Sequence, residues 1–370
     1  MISPTFVQTL CQMKRLSGIK MLVMALLAAL LPSCGNAPGY VVVTGYAQGG
    51  TYSVKVNMKG VRESPENVRH GIDSILTLID TTLSGYNKGS MLSRFNRGER
   101  IRPNAMFMDM YRSAVLWWER SEGALDVAAG PLFDVWGFGF KKGEFPSDDT
   151  LSVILSSCGM RRLLTSMEEA LAPDGTLCGA DLVKDGFGDA APVLNYNAVA
   201  QGFTSDCIAS WLYSLGAVDM LVDIGEIWCD GLNPSGRPWA VGVDRPVDGN
   251  NTPGADLDGI WESDGSGRGV VTSGNYRKFF IKDGRKYAHT IDPRTGRPAE
   301  GTLLSATIVS SESSETADAV ATWCMVVGEE VARKVIDSDP SLEGYLISSG
   351  ENGGFREWAS SGFKLRSGAN

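Results

Sequence analysis

Apolar and polar positions along the chain alternate in two rhythms, one of strands and one of helices. Tyr40 to Val43 and Thr51 to Val56 are rich in β-branched and aromatic residues and predict two strands, joined through Gly45-Tyr46-Ala47-Gln48-Gly49-Gly50. From Pro65 to Leu83 the apolar residues Val68, Ile72, Ile75, Leu76 and Ile79 return at helical spacing. Tyr111 to Arg120, Gln201 to Leu215, Thr316 to Val327 and Glu330 to Ile336 predict further helices. Met220 to Ile224, Trp239 to Val243 and Leu304 to Val309 read as strands, and Phe279 to Asp292 as a hairpin turning at Asp283-Gly284. Leu125 to Gly143 is loop-like, and Asn250 to Gly269, rich in Gly and Asp, looks like a surface insertion. No repeat of fixed period is present. This order of elements predicts an α+β fold with mostly antiparallel pairing.

Ahead of the first strand lies a targeting pattern. Lys14, Arg15 and Lys20 precede an apolar run from Met21 to Leu31, 11 residues long and too short to span a bilayer. Leu31-Pro32-Ser33-Cys34 follows at once. Residues 1–33 are therefore expected to be a lipoprotein signal peptide, with Cys34 acylated as the first mature residue; an ordinary secretory signal with an incidental Cys is the alternative. Residues 34–39 then form a tether, 40–340 the main domain and 341–370 a C-terminal extension. The expected location is exported and lipid-anchored to a membrane, on the periplasmic side.

Charge narrows the classes of partner. The 370 residues carry a net charge of −9 and no long Lys/Arg run, which argues against a nucleic-acid surface. An acidic protein that binds a phosphate ester needs a local source of positive potential, such as a metal ion, helix N-termini or glycine-rich backbone. Seven Cys are present without CxxC spacing, so zinc and dithiol redox chemistry are not indicated. Cys207 and Cys324 fall in apolar helical patterns, and a Cys158–Cys178 disulfide is one option.

Three constellations carry candidate chemistry. Asp318 and Thr322 are four apart in Asp318-Ala319-Val320-Ala321-Thr322, so they share a helix face with only small apolar residues between. A carboxylate plus a hydroxyl suits Mg²⁺, though an Asp in a first turn also serves as a cap and a Thr one turn on also packs. His289, in Ala288-His289-Thr290-Ile291-Asp292-Pro293, stands at a strand end, where it could hydrogen-bond a phosphate, take a proton from a hydroxyl or simply hold backbone. His70 lies on a polar helix face and reads as solvated. Glycine-rich turns at Gly45 to Gly50, Gly130 to Gly143, Ala200-Gln201-Gly202 and Thr272-Ser273-Gly274-Asn275-Tyr276 allow backbone to approach a pyrophosphate, and Tyr86, Phe133, Trp136 and Phe138 could stack on a flavin or pack in a core. Neither G-x-G-x-x-G nor a P-loop occurs.

In their order along the chain these segments resemble the ApbE family of FAD:protein FMN transferases. Gly45 to Tyr52 is similar to the family's G-x-x-M-G-T-x-Y, and Leu83-Ser84-Gly85-Tyr86-Asn87 with Ser93-Arg94-Phe95-Asn96 to its S-x-Y…S-R-F-N. Ser121 to Asp126, Gly130-Pro131-Leu132 and Trp136-Gly137-Phe138 resemble S-x-G-A-x-D…G-P-L…W-G-F, and Asn195 to Asp206 resembles D-L-x-x-I-A-K-G-x-x-x-D. The resemblance runs from about Tyr40 to about Ile336 and implies a T-fold-like arrangement of antiparallel sheets flanked by helices. It places flavin and adenylate contacts on Gln48, Tyr86, Ala124, Leu125, Asp126, Asn195, Gln201 and Ile291. It places Mg²⁺ on the Ala198 carbonyl and the side chains of Asp318 and Thr322, and the His required for transfer at His289. Gln48 stands where Met is usual, Gly50 for Thr, Asn195 for Asp, and Gln201 for Lys or Glu.

The resemblance implies Mg²⁺-dependent transfer of FMN from the substrate FAD to a Ser or Thr of an acceptor protein, a membrane redox subunit or an exported flavoprotein, with release of AMP. An FAD pyrophosphatase giving FMN and AMP, and a flavin-binding lipoprotein without catalysis, are the rival readings.

Overall fold

The computed structural model describes residues 39–140, 145–167, 192–250, 252–276, 279–282, 285–350 and 353–367. The signal segment, Cys34 and Cys178 lie outside them, and Cys158 is a free thiol. The chain opens with a hairpin of β1 (Tyr40–Ala47) and β2 (Gly50–Asn57), closed by Gln48-Gly49. Both turn residues have positive φ, 50° and 82°, as a type I′ turn requires; Gly adopts this freely and Gln does not. Helix α1 (Pro65–Leu83) begins at Ser64, whose hydroxyl accepts the Asn67 N–H at 3.1 Å, with Pro65 in the first turn. Helices α2 (Met91–Asn96), α3 (Ala105–Arg120), α4 (Gly130–Val135), α5 (Asp148–Ser157), α6 (Met160–Met167) and α7 (Ala200–Leu215) follow.

The strands build two larger sheets and two two-stranded ones. β1, β2, β3 (Met220–Asp223), β4 (Ile227–Asp230), β7 (Arg268–Gly274), β12 (Leu303–Ser310), β13 (Leu342–Ser349) and β14 (Phe355–Ala359) form an open, antiparallel eight-stranded sheet in that order. β15 (Leu365–Ser367), β6 (Leu257–Glu262) and β5 (Ala240–Asp244) form a smaller sheet. Between the two lie Leu221, Trp239, Trp261, Val309, Tyr345 and Phe363. On the large sheet's other side α7 and α8 (Ser314–Val327) pack through Phe203, Ala317, Val320 and Ala321, and α9 (Glu329–Ser338) through Ala332 and Ile336. With both faces covered, β12 and β13 are buried almost throughout rather than alternating. β8 (Phe279–Lys282) and β9 (Arg285–Ala288) pair antiparallel, as the expected hairpin requires, with its turn at Asp283-Gly284 outside the described residues, and β10 (Ile291–Asp292) pairs with β11 (Arg297–Pro298). No helix among the described residues is long and apolar enough to cross a membrane.

The mixed helix and antiparallel sheet architecture agrees with the expected fold class, with four local corrections. Asn250 to Gly269 is not a surface insertion: it holds β6 and enters β7, a central strand. Gly269 is there for close approach, because a Cβ would meet the Ser313 carbonyl oxygen at 2.5 Å and Ser314 backbone at 2.6 Å. The stretch read as loop after Leu125 contains α4, and α3 starts earlier than expected, at Ala105, capped by Asn104. Residues after 340, set apart as an extension, supply β13, β14 and β15.

Candidate functional site

The first turns of α7 and α8 cross closely, and this crossing fixes the candidate metal ligands. Ser313 caps α8 by accepting the Thr316 N–H at 2.9 Å. Asp206, one turn beyond Gly202 on α7, accepts the Ser314 and Glu315 N–H groups, each at 2.8 Å. The Gly202 N–H in turn donates to Asp318 Oδ2 at 3.1 Å. Each helix thus uses a carboxylate to receive the other's free N-terminal donors. Asp318 and Thr322 lie one turn apart on α8, and Ala198 lies just before α7. Among the described residues no cluster of three His, Cys, Asp or Glu side chains is arranged to hold a metal. The donor set at Asp318 is instead one carboxylate, one hydroxyl and one carbonyl. These are all oxygen ligands, the kind Mg²⁺ takes while keeping part of its shell for water and phosphate.

Burial makes this corner hungry for positive charge. Burial pushes the Asp318 carboxyl well above the usual carboxylate range, against the Gly202 N–H, and the nearby Glu315 and Asp206 push it further. Burial likewise raises Asp206 to about 7 and Glu315 to about 8. A bound cation would reverse that penalty, so the residues present fit the metal.

A cavity of about 1620 Å³ opens beside this corner. It exceeds the ~300–1,000 Å³ of common small-molecule pockets and suits a large ligand. Ala198, Asp318, Thr322 and His289 all line it, as do Gln48, Tyr86, Ala124, Leu125, Asp126, Asn195, Gln201 and Ile291. All the expected cofactor, metal and histidine positions therefore line one cavity. His289 follows β9, with Phe138 edge-on at 6.3 Å between ring centroids. Its neighbour Thr290 donates its hydroxyl to Asn275 Oδ1 at 2.7 Å. Tyr86 is 69% exposed at the rim, edge-on to Phe140, and Asn197 donates to its hydroxyl at 3.3 Å.

Several expected contact residues are already engaged with protein. Gln48 Nε2 donates to Thr204 on α7, tying the β1–β2 turn to that helix. Gln201 Nε2 donates to the Ile224 carbonyl at 3.0 Å, and Asn195 Oδ1 accepts the Asn197 N–H at 3.0 Å. Asp126 accepts the Ala128 N–H at 2.9 Å and the Met160 N–H at 2.9 and 3.0 Å, while burial raises its carboxyl to about 6. Of the four aromatics considered for stacking, Trp136 does not line the cavity: it is buried against Tyr287 and donates to the Gly296 carbonyl at 2.8 Å. His70 is exposed, 3.8 Å from Glu66 one turn away. Sequence reasoning missed Asp206, Glu315 and Thr204 as parts of the site. Asp206 had two available signals, since it closes the motif that begins at Asn195 and falls one turn after Gly202, on the same face of α7.

The model of the ApbE family matches residues 49–346. The FAD:protein FMN transferase of Vibrio cholerae serotype O1 is 33% identical over 345 residues, covering 90% of this chain and 95% of the relative. That of Haemophilus influenzae is 30% identical over 361 residues, covering 95% and 97%. Among solved structures, the flavin transferase ApbE from Vibrio cholerae superposes with a TM-score of 0.70 at 31% identity, covering 87% of this chain and 97% of that one. The Pseudomonas stutzeri flavinyl transferase ApbE, apo form, gives 0.71 at 28% identity, covering 88% and 97%.

Proposed function

The chain belongs to the ApbE family, and we propose that it transfers FMN from FAD to a Ser or Thr hydroxyl of a target protein, releasing AMP. The observation that carries this reading is the single cavity that gathers Gln48, Tyr86, Asn195, His289, Asp318 and Thr322 from distant parts of the chain. In the reaction the acceptor oxygen forms a bond to the FMN phosphorus, the P–O bond to AMP breaks, and the hydroxyl proton leaves. The chain must hold the pyrophosphate, align the hydroxyl and receive that proton.

Asp318, Thr322 and the Ala198 carbonyl would hold Mg²⁺, which when bound neutralises charge developing on the phosphates. His289 is the group placed to accept or orient the hydroxyl proton, being the one imidazole on the cavity wall. Asp206 keeps α8 in register with α7, so that Asp318, Thr322 and Ala198 face the same space. Tyr86, at the rim, offers a π-face to the flavin ring. The acceptor is a membrane redox subunit or an exported flavoprotein, and the enzyme works outside the cytoplasm, held by lipid on Cys34.

Incubation with FAD, Mg²⁺ and a candidate acceptor tests the reading. Covalent flavin on the acceptor with release of AMP is expected. Free FMN plus AMP with no labelled acceptor would make the protein a pyrophosphatase, and unchanged FAD would leave only binding.

A further inference from the structure

The eight-stranded sheet ends in two edges that are built differently. The far edge, β14, carries Arg356 and Glu357, and Arg356 pairs with Glu329. Charged side chains on an edge strand are a common protection against pairing with other chains. The near edge, β1, reads Tyr-Val-Val-Val-Thr-Gly-Tyr-Ala, with no charge and no Pro over its 8 residues. Val42 is 48% exposed and Tyr46 73%. An uncharged, β-branched and aromatic edge left open is either an aggregation hazard or a place where a strand is meant to add.

The register shows which groups β1 offers. A two-residue turn closes on a hydrogen-bonded pair, here Ala47 and Gly50. Alternation then turns the N–H and C=O groups of Val42, Thr44 and Tyr46 away from β2. Among the described residues, no backbone hydrogen bond other than the pairing with β2 involves Tyr40–Ala47. The same edge leads into the proposed site: Thr44, Gly45, Tyr46 and Ala47 line the cavity, whereas Val42 does not.

We infer that the acceptor protein docks as an extended segment added antiparallel or parallel to β1, which delivers its hydroxyl into the flavin cavity. This rests on the flavin-transfer reading, and the acceptor is the one macromolecule that reaction requires at the cavity mouth. Eight residues of strand offer about 26 Å of edge. Main-chain pairing supplies affinity, while a hydroxyl side chain near the Tyr46 end enters the cavity that His289 also lines.

The test uses the full-length enzyme with FAD, Mg²⁺ and a flavinylatable acceptor. Val42→Pro removes an outward N–H and walls off the edge, a substitution edge strands tolerate at such positions; Val42→Thr keeps the N–H as control. Val42→Pro is expected to raise KM for acceptor about tenfold or more, the worth of a lost hydrogen bond plus the steric block, while Val42→Thr does not. FAD affinity and kcat at saturating acceptor should stay within about twofold, since Val42 is outside the cavity. Hydrogen exchange on the wild type covers the case in which Val42→Pro misfolds: acceptor should slow exchange at the Val42, Thr44 and Tyr46 amides.

An unchanged KM in folded Val42→Pro, or protection by acceptor elsewhere but not at these amides, overturns the docking while leaving transfer intact. Protection already present without acceptor also overturns it. In that case, loss of protection on dilution points to a second copy of the chain, and loss on removal of residues 1–38 to the chain's own N-terminus. If the wild type labels no acceptor at all, the transfer reading fails first and the docking falls with it.

Discussion

Replacing Gly202 with Ala tests whether the crossing of α7 and α8 sets the site. A Cβ at Gly202 would stand 2.5 Å from the Ser314 carbonyl oxygen, 2.7 Å from its carbon and 2.8 Å from Glu315 Cα. All three are backbone atoms, so no side chain can swing aside. Helix propensity alone favours Ala over Gly by about 1 kcal/mol. Restoring ordinary contact at ~3.5 Å requires the helices to part by about 1 Å, and overpacking of a fitted core costs about 1–3 kcal/mol. The clash therefore outweighs the propensity gain by a small margin, and the melting temperature should fall by only a few degrees. Function should suffer more. The Gly202 N–H holds Asp318 Oδ2 at 3.1 Å, and α8 carries both Asp318 and Thr322. A misplacement of about 1 Å in such groups costs on the order of 10²-fold in rate. The assay is thermal melting with flavin transfer across a Mg²⁺ titration on one preparation. A folded variant with wild-type transfer and wild-type metal dependence would refute the claim that this crossing positions the ligands.

His289→Ala should keep FAD and Mg²⁺ binding but transfer flavin ~10²–10⁴-fold more slowly, as for loss of a general base; wild-type transfer by the folded variant removes it from the chemistry. If FAD affinity falls with the rate, His289 holds phosphate instead. Asp318→Ala removes the only carboxylate among the proposed ligands and should weaken Mg²⁺ and FAD together in calorimetry; full activity of this variant in EDTA would sink the metal site. Glu329 is held at about 2 rather than 4.5, first by Arg356 and also by Ser348 and Arg333. Its depressed value means the stabilisation is present above about pH 4.5 and lost as pH falls toward 2. The destabilisation caused by Glu329→Gln at neutral pH should therefore shrink in acid melts, and a pH-independent difference would contradict it. Cys34→Ala should move the protein from the membrane to the soluble fraction; retention of the variant in membranes would refute the lipid anchor.

Helices were legible where one face is buried and the other wet. The period of Val68, Ile72 and Ile79 gave α1 its observed bounds because those residues are buried while their neighbours are not. Central strands with few glycines, β2, β3 and β12, were legible, whereas β7 and β13 were harder because their glycines mimic breakers. In β13 a Cβ at Gly344 would meet Ile336 at 2.6 Å and Ile308 at 3.3 Å, so a residue that looks like a turn in the sequence is a seat for α9. The same ambiguity hid β7 behind Gly269. The cavity-lining positions were legible as a set, through the order of motifs, since no single one was decisive.

What the sequence could not show is how polar atoms are shared inside the site. Gln48, Gln201 and Asn195 depart from the residues the resemblance leads one to expect, and each engages a protein partner. Their effect on charge follows from where they stand. Asp126, Glu226 and Asp318 already line the cavity, with buried Asp206 and Glu315 behind Asp318. Burial, with Glu315 and Asp206 adding to it, already holds the Asp318 carboxyl well above the usual carboxylate range, and a neutral amide at position 195 brings no further charge to the cavity. Asn195 keeps an acceptor for the Asn197 N–H, and so the shape of the loop before α7, without adding that charge.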